Sequence, residues 1–298
     1  MSPKDAPGQK VKRKKLKELE VIVSEVIQET PDTVTLHLFT GNEELDYRPG
    51  HFLTIDPHQF KSLDRFTRYL EDIKGRKESP RAYSLASSPH EKLLSITVKE
   101  EAYVSGVSKY PPLLSPLLVG RMPAGSRMLV TGFTGPFTLP EDIDSRAGHL
   151  VHVCAGSGVV PNFSMIKYAL ANHPGLRHTL VYTNKTWSDV IYKRELTRLE
   201  TEYPGLLRVV HTLTREKDVF RIGEGVRQGR MTEALLREVV FDPEDTEFFL
   251  CGPGITPYEK ARARETDQVP TPRFMESALA MLEAIGVEKS RIHRESYG

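Results

Sequence analysis

Within four residues, Arg81-Ala82-Tyr83-Ser84 sets a planar cation, an aromatic ring and a hydroxyl along a β-rich stretch that runs on as Leu85-Ala86-Ser87-Ser88. A guanidinium fork can hold a phosphate through two parallel hydrogen bonds. A tyrosine ring can lie against a flat heterocycle, and a serine hydroxyl can donate to a ring nitrogen. Arg-x-Tyr-Ser in a strand therefore has the parts of a flavin site: a phosphate clamp at Arg81, a plate for the ring at Tyr83, and a donor at Ser84 toward the nitrogen that accepts hydride. Tyr83 and Ser84 adjoin, so in a strand they approach the ring from different directions. The same residues also fit an ordinary strand running into a serine-rich turn, and the rest of the chain has to decide between the two.

Two later segments bear on that choice. Gly156-Ser157-Gly158-Val159-Val160-Pro161 follows an apolar run and opens a helical stretch. Two glycines at such a junction let backbone amides approach a pyrophosphate at the positive end of a helix, although a bare Gly-x-Gly also serves strand-to-helix packing. Cys251-Gly252-Pro253-Gly254 follows the fourth apolar run of the same region. Ligands of open α/β sheets bind at the carboxyl ends of the strands, so the two glycine loops are expected to share one crevice. Cys251 is placed at its nicotinamide end, against the plainer reading of a buried core cysteine.

The elements that must position these residues fall into two textures. From residue 18 to about 140, short alternating runs at 19–23, 34–38, 52–55, 94–98 and 128–130 are separated by turns, the pattern of a small antiparallel barrel. From about residue 149, apolar strands at 149–154, 178–183, 207–213 and 247–251 alternate with helical stretches at 162–171, 189–202, 232–239 and 272–285. That repeat predicts a parallel sheet covered on both faces. The expected organisation is a basic tail over 1–17, a β-barrel domain over 18–143 and an α/β nucleotide-binding domain over 144–298, with the boundary within 141–148. Residues 58–79 form an insert just ahead of the flavin motif. Phe60, Leu63, Phe66, Leu70 and Ile73 recur there at spacings of three or four, which predicts an amphipathic helix, either a packed element or a lid or docking element beside the cofactor.

Composition bounds the function. With 298 residues, 39% hydrophobic and 27% charged, the chain has the make-up of a two-domain globular protein. A net charge of +1 argues against wholesale nucleic-acid binding, and no stretch approaches a membrane span. The run Lys10-Val11-Lys12-Arg13-Lys14-Lys15 has no apolar segment behind it and reads as a solvated tail rather than a secretory signal. Two cysteines, Cys154 and Cys251, are too few for a cysteine-ligated iron–sulfur cluster and suit a reducing compartment, so a cytoplasmic location and no metal site are expected.

Taken in order, these segments resemble the ferredoxin–NADP reductase superfamily from about Leu19 to Tyr297. Arg81-x-Tyr83-Ser84 is similar to its flavin motif, Gly106-Val107-Ser108 to the loop whose amides hold the flavin phosphates, Gly156 to Pro161 to its Gly-Thr-Gly-Ile-Ala-Pro loop, and Cys251-Gly252-Pro253 to its Cys-Gly-Pro element. Glu295-Ser296-Tyr297 resembles the acidic and aromatic pair that ends many members. The chain departs from the pattern at Val160, where a small residue is usual, in a phosphate loop one residue short, and at Gly132-Phe133-Thr134-Gly135, which lacks the usual proline. The resemblance implies flavin contacts from Arg81, Tyr83, Ser84, Leu85, Val98, Lys99, Gly106, Val107, Ser108 and Tyr297. It implies nicotinamide-nucleotide contacts from Gly156, Ser157, Gly158, Pro161, Thr183, Asn184, Thr214, Arg215, Arg230, Cys251, Gly252 and Pro253. Ser84, Cys251 and Glu295 take the catalytic positions, and Tyr297 covers the flavin until nicotinamide displaces it.

The flavin expected is FAD rather than FMN, because the long segment between Gly106 and Pro123 offers surface for an adenosine half. Thr214-Arg215-Glu216 and Gly229-Arg230-Met231 resemble the segments that meet a 2′-phosphate, so NADPH is favoured over NADH, although Asn184-Lys185-Thr186 followed by Asp189 resembles NADH-using relatives. The implied activity takes hydride from the nucleotide onto the flavin and passes single electrons to a separate protein such as a ferredoxin, a flavodoxin or an oxygenase component. The alternatives are a reductase of free flavin or quinone, and a flavin subunit without nicotinamide turnover of its own.

Overall fold

The structure, a computed structural model, describes residues 18–41, 43, 45–103 and 108–297. The basic tail and, in the phosphate loop, Gly106 and Val107 lie outside the described residues.

The first sheet forms because its strands carry one inward row of aliphatic side chains. In β1 (Leu19–Thr30), Leu19, Val21 and Val23 are buried while Glu20 and Ser24 face out, the period of two that a one-sided sheet requires. β2 (Thr33–Phe39), β3 (Phe52–Ile55), β4 (Arg81–Ser84), β5 (Leu94–Lys99) and β6 (Arg127–Thr134) join it antiparallel in the order β4-β3-β6-β1-β2-β5. A bridge between Leu85 and Ile96 ties the end of β4 back to β5, which brings the two edges of the sheet together around a core that includes Val21, Leu36, Leu53, Ile96 and Val130.

The insert is shorter as a helix than its apolar spacing predicts. Asp56 caps a 3-10 turn at Pro57–Gln59 by accepting from the His58 N–H, Phe60 is extended, and a second turn at Lys61–Leu63 precedes the helix proper, α1 (Asp64–Lys74). Gly75 ends α1 in the left-handed region, at φ 62°. Leu70 is buried but Ile73 is 51% exposed, so the apolar stripe does not run the length of the insert. The proline-rich loop that follows β5 contains a short helix, α2 (Ser115–Gly120).

After α3 (Ile143–Arg146), the second sheet is parallel throughout. Its order is β10 (Val226–Gln228), β9 (Leu207–Leu213), β8 (Arg177–Asn184), β7 (His149–Ala155), β11 (Thr246–Pro253), β12 (Ile292–Tyr297). β7 is buried along nearly its whole length, as expected of a strand covered on both faces. The covering helices are α4 (Val159–Asn172), α5 (Lys193–Glu202), α6 (Glu233–Val239), α7 (Pro257–Glu265) and α8 (Phe274–Ala284). α5 starts at Lys193 rather than 189, because Trp187–Asp189 is a 3-10 turn and Tyr192 takes a left-handed φ of 59°. The sequence pattern does not predict α2, α3, β10, α7 or β12. α7 buries only Ala263 and so shows no apolar stripe; its local signals are the capping box of Thr256 and Glu259 and Pro257 in the first turn. β12 is polar and only half buried, so no apolar run marks it.

α4 faces the barrel. Ser88 Oγ donates to the Ser164 carbonyl and Ser164 Oγ to the Ser87 carbonyl, both at 2.7 Å, while Tyr192 stacks on Phe163 and its N–H reaches Glu29. These contacts join the two sheets and set the cleft between them. Among the described residues no helix is long and apolar enough to cross a membrane.

Candidate active site

The carboxyl ends of β7, β8, β11 and β12 converge where β4 ends, which is where open α/β sheets bind ligands. Register does the positioning. Cys251 lies opposite Cys154 on β7 and Glu295 on β12, and Pro253 lies opposite Tyr297. From the barrel, Ser84 Oγ meets the Tyr297 hydroxyl at 2.7 Å and donates toward Glu295 Oε2 at 3.5 Å, contacts across 213 and 211 residues. Tyr83 and Ser84, Lys99, Ser157 and Val160 of the glycine loop, Lys185 and Tyr297 line one cleft of about 560 Å³.

Burial governs the ionisation here. The Glu295 carboxyl is pushed up to about 7 by desolvation, against the lowering effect of the Ser84 hydroxyl, so it can hold or release a proton near neutrality. Burial, with the neighbouring Glu295 charge, drives the Cys251 thiol well above the usual thiol range, and burial does the same for Cys154. Both stay protonated thiols; both are fully buried in the core and neither lines the cleft, so the Cys251 side chain offers a nucleotide no surface and only its backbone carbonyl reaches the glycine loop. The Tyr297 phenol is likewise raised by burial and remains a neutral donor.

The two glycine loops touch through their backbones. A Cβ on Gly158 would lie 2.1 Å from the Cys251 carbonyl oxygen, and one on Gly252 would lie 2.5 Å from the Phe274 ring. Gly156 has φ 54° with open space around it, so its side is free for an approaching ligand. Pro161 is buried in the first turn of α4, where its missing N–H costs nothing. Asn184 at the end of β8 is buried, with its side-chain amide beside the Tyr182 hydroxyl and off the cleft lining. Thr183 bonds to Thr212, and Thr214 is tied to the Asn184 carbonyl. Arg215 and Arg230 each lie two residues beyond the paired Leu213 and Gln228, past the carboxyl ends of β9 and β10, exposed and without a carboxylate partner among the described residues.

Other expected contacts are placed differently. Leu85 and Val98 point into the barrel core, so they can offer a ligand only backbone groups. Lys99 lines the cleft but its ammonium is 2.9 Å from Asp32. The Arg81 guanidinium does not line the cleft; it is turned to the Glu78 carboxylate and the Ser79 carbonyl. Ser108 is described, whereas its loop partners Gly106 and Val107 are not. Sequence reasoning left Lys185 and Ser296 off the site, although both line the cleft. Ser296 follows from alternation once β12 is known to be a strand, and Lys185 from its place one residue past the end of β8. Among the described residues no group of His, Cys, Asp or Glu is arranged to hold a metal ion.

These features can be set beside known proteins. Residues 152–257 match the oxidoreductase NAD-binding domain. The ferredoxin reductase component of a 3-ketosteroid-9-alpha-monooxygenase from Mycolicibacterium smegmatis is 32% identical over 94% of this chain, and the chain spans 65% of that relative's length, so the two-cysteine count describes this length alone. The flavohem-like FAD/NAD-binding domain of a Vibrio cholerae nitric oxide dioxygenase superposes with a TM-score of 0.68 at 24% identity, covering 94% of this chain and 98% of that one. Ferredoxin–NADP+ reductase from Plasmodium falciparum does so at 0.66 and 17%, covering 94% and 96%. Residues 152–257 thus form an oxidoreductase NAD-binding domain, and the chain as a whole, a barrel closed against a parallel sheet, has the fold of these reductase structures.

Proposed function

We propose that the chain is a flavin-dependent reductase that takes electrons from NADPH, less readily from NADH, and delivers them singly to a separate protein such as a ferredoxin, a flavodoxin or an oxygenase component. The observation that carries this is the meeting of Ser84 and Tyr83 from the barrel with Glu295, Tyr297 and Ser157 from the parallel sheet in one cleft. Residues 18–143 hold the flavin, FAD in preference to FMN, and residues 144–298 the nucleotide. Bound flavin supplies the redox chemistry, accepting a hydride and releasing electrons one at a time.

The chain's own residues bind, orient and exclude water. Tyr83 presents a ring and Ser84 a hydroxyl to the cleft. Tyr297, held on Ser84, covers the same space and must swing out for a nicotinamide to enter. Glu295 holds or releases a proton beside Ser84 near neutral pH. Cys251 and Cys154, buried beneath the cleft at the ends of their strands, pack the core that holds those strands in register. The amides around Gly156 to Gly158 face the nucleotide, with Thr183 and Asn184 shaping the end of β8 beside it and Arg215 and Arg230 bracketing a 2′-phosphate. Arg81 clamps the flavin phosphate with the donors that Glu78 and Ser79 leave free. Two buried thiols suit a reducing, cytoplasmic setting.

The test is the absorption spectrum of the purified protein before and after each nucleotide. A bound flavin, FAD on release, bleached within seconds by NADPH and re-oxidised by a one-electron protein acceptor, is the expected result. No flavin after reconstitution would refute the site. Flavin that neither nucleotide bleaches would leave only a non-autonomous subunit, and loose flavin turned over as substrate would make the protein a free-flavin reductase.

A further inference from the structure

We infer that Glu78, at the end of the insert, is a positioning residue that sets the Arg81 guanidinium for phosphate, and that this is what the insert around α1 is for. The inference rests on the flavin reading above.

Glu78 is 6% exposed and is not a surface charge that happens to find a partner. Its two oxygens are divided: Oε1 accepts from Lys74 on the last turn of α1, and Oε2 from Arg81 at the start of β4. Burial opposes its ionisation, but the two cations outweigh burial and hold the carboxyl below its usual range. The backbone is fixed as well. The Glu78 N–H donates to Glu71 Oε1 at 2.8 Å, that same oxygen meets His58 Nε2 at 2.8 Å, and His58 Nδ1 meets Asp56 Oδ1 at 2.6 Å just past β3. β3 and β4 are paired with Ile55 opposite Arg81, so the relay leaves the sheet beside Arg81 and returns to it. The insert thus closes a ring of hydrogen bonds that runs from Asp56 through His58, Glu71 and Glu78 to the guanidinium.

A carboxylate beside a phosphate clamp can act in two opposite ways. It can compete with phosphate for the guanidinium, or it can hold the guanidinium ready. Charge and donor count favour the second. Lys74 is shared with Glu78, so Lys74, Glu78 and Arg81 together keep a net positive charge. Arginine has five N–H donors; one is engaged by Glu78 and one by the Ser79 carbonyl, which leaves three for an incoming anion. Arg81 lies two residues from Tyr83 on the same strand, so both project from one face of β4, at the spacing expected of a clamp for the far end of a molecule whose ring lies on Tyr83. Holding the long side chain in one rotamer before the ligand arrives removes an entropy cost otherwise met on binding.

The test is a double-mutant cycle read as the FAD dissociation constant of the apoprotein, followed by flavin fluorescence, with the melting temperature of each apoprotein as a parallel readout. Glu78→Gln keeps the shape and removes the charge. We expect it to weaken FAD binding about tenfold, the scale of the rotamer freedom of a released arginine. In the Arg81→Ala background the same change should have little further effect. A purely structural Glu78 would instead lower the melting temperature and weaken FAD equally in both backgrounds, which would overturn the inference, as would tighter binding in Glu78→Gln, the signature of competition. If Glu78→Gln does not fold, Glu71→Ala removes the acceptor of the Glu78 N–H and should give the same non-additivity at smaller amplitude, additivity again overturning it. Unchanged FAD binding in Arg81→Ala alone would refute the clamp itself, and so the flavin reading at this residue, independently of Glu78.

Discussion

Gly158→Ala should separate the two nucleotide loops, and its size can be worked from one contact. The added Cβ would lie 2.1 Å from the Cys251 carbonyl oxygen, 2.5 Å from its carbon and 2.9 Å from the Gly252 nitrogen. All three are backbone atoms, and they belong to β11, which is paired on both sides, with β7 and β12. No rotamer change relieves the clash, so the loops must part by roughly 1 Å to reach ordinary van der Waals contact. Overpacking commonly costs about 1–3 kcal/mol, and this case belongs at or above the upper end because neither side can yield cheaply. For a unit of this size the melting temperature should fall on the order of 10 °C. The crevice shared by the loops widens at the same time, and NADPH and NADH affinity should drop together by about tenfold or more. Gly156→Ala is the control: its Cβ meets nothing within 4 Å, but φ 54° costs a side chain roughly 1–2 kcal/mol. Differential scanning calorimetry and nucleotide titration of both variants decide the matter. Equal losses in the two variants would refute the argument that backbone contact, rather than loop strain, makes Gly158 necessary.

Further expectations follow from the same geometry. Replacing Arg215 and Arg230 by alanine should cut NADPH affinity by about tenfold to a hundredfold per contact while sparing NADH, and added salt should erode the preference; equal losses with both nucleotides would reassign the arginines to fold or pyrophosphate. The rate of flavin reduction should inflect near pH 7 as Glu295 titrates, and Glu295→Gln should flatten that inflection; an unchanged profile removes Glu295 from the chemistry. His149, His152 and His211 are held down to about 4 by burial, so the folded protein stays neutral there while the unfolded chain takes up protons below about 6.5. Stability should therefore fall as pH drops from about 6.5 toward 4, by a few kcal/mol in all, and denaturant melts that are flat across this window would contradict it.

Much of the architecture is written locally. The buried alternation of Leu19, Val21 and Val23 and the solid apolar run of β7 differ because one strand faces water on one side and the other on neither, and that difference is visible residue by residue. Arg81-x-Tyr83-Ser84, Gly156-x-Gly158 and Cys251-Gly252-Pro253 carry their chemistry in residue type and spacing, and their order along the chain carries the resemblance to the superfamily. What tertiary structure alone decides is which of these groups meet. Glu295 and Tyr297 reach Ser84 because β12 pairs in parallel with β11 at one register, and a polar, half-buried edge strand leaves too weak a local pattern to foresee. The elevation of Glu295 toward 7 comes from burial in the assembled site and is opposed by the Ser84 hydroxyl 211 positions away, so no local window contains either effect. The burial of Leu85 and Val98 in the barrel, and the turning of Arg81 to Glu78 rather than to open solvent, depend on how the barrel closes and where the insert re-enters it. Periodicity and motif act over a few residues; register, burial and charge pairing are set by the whole chain.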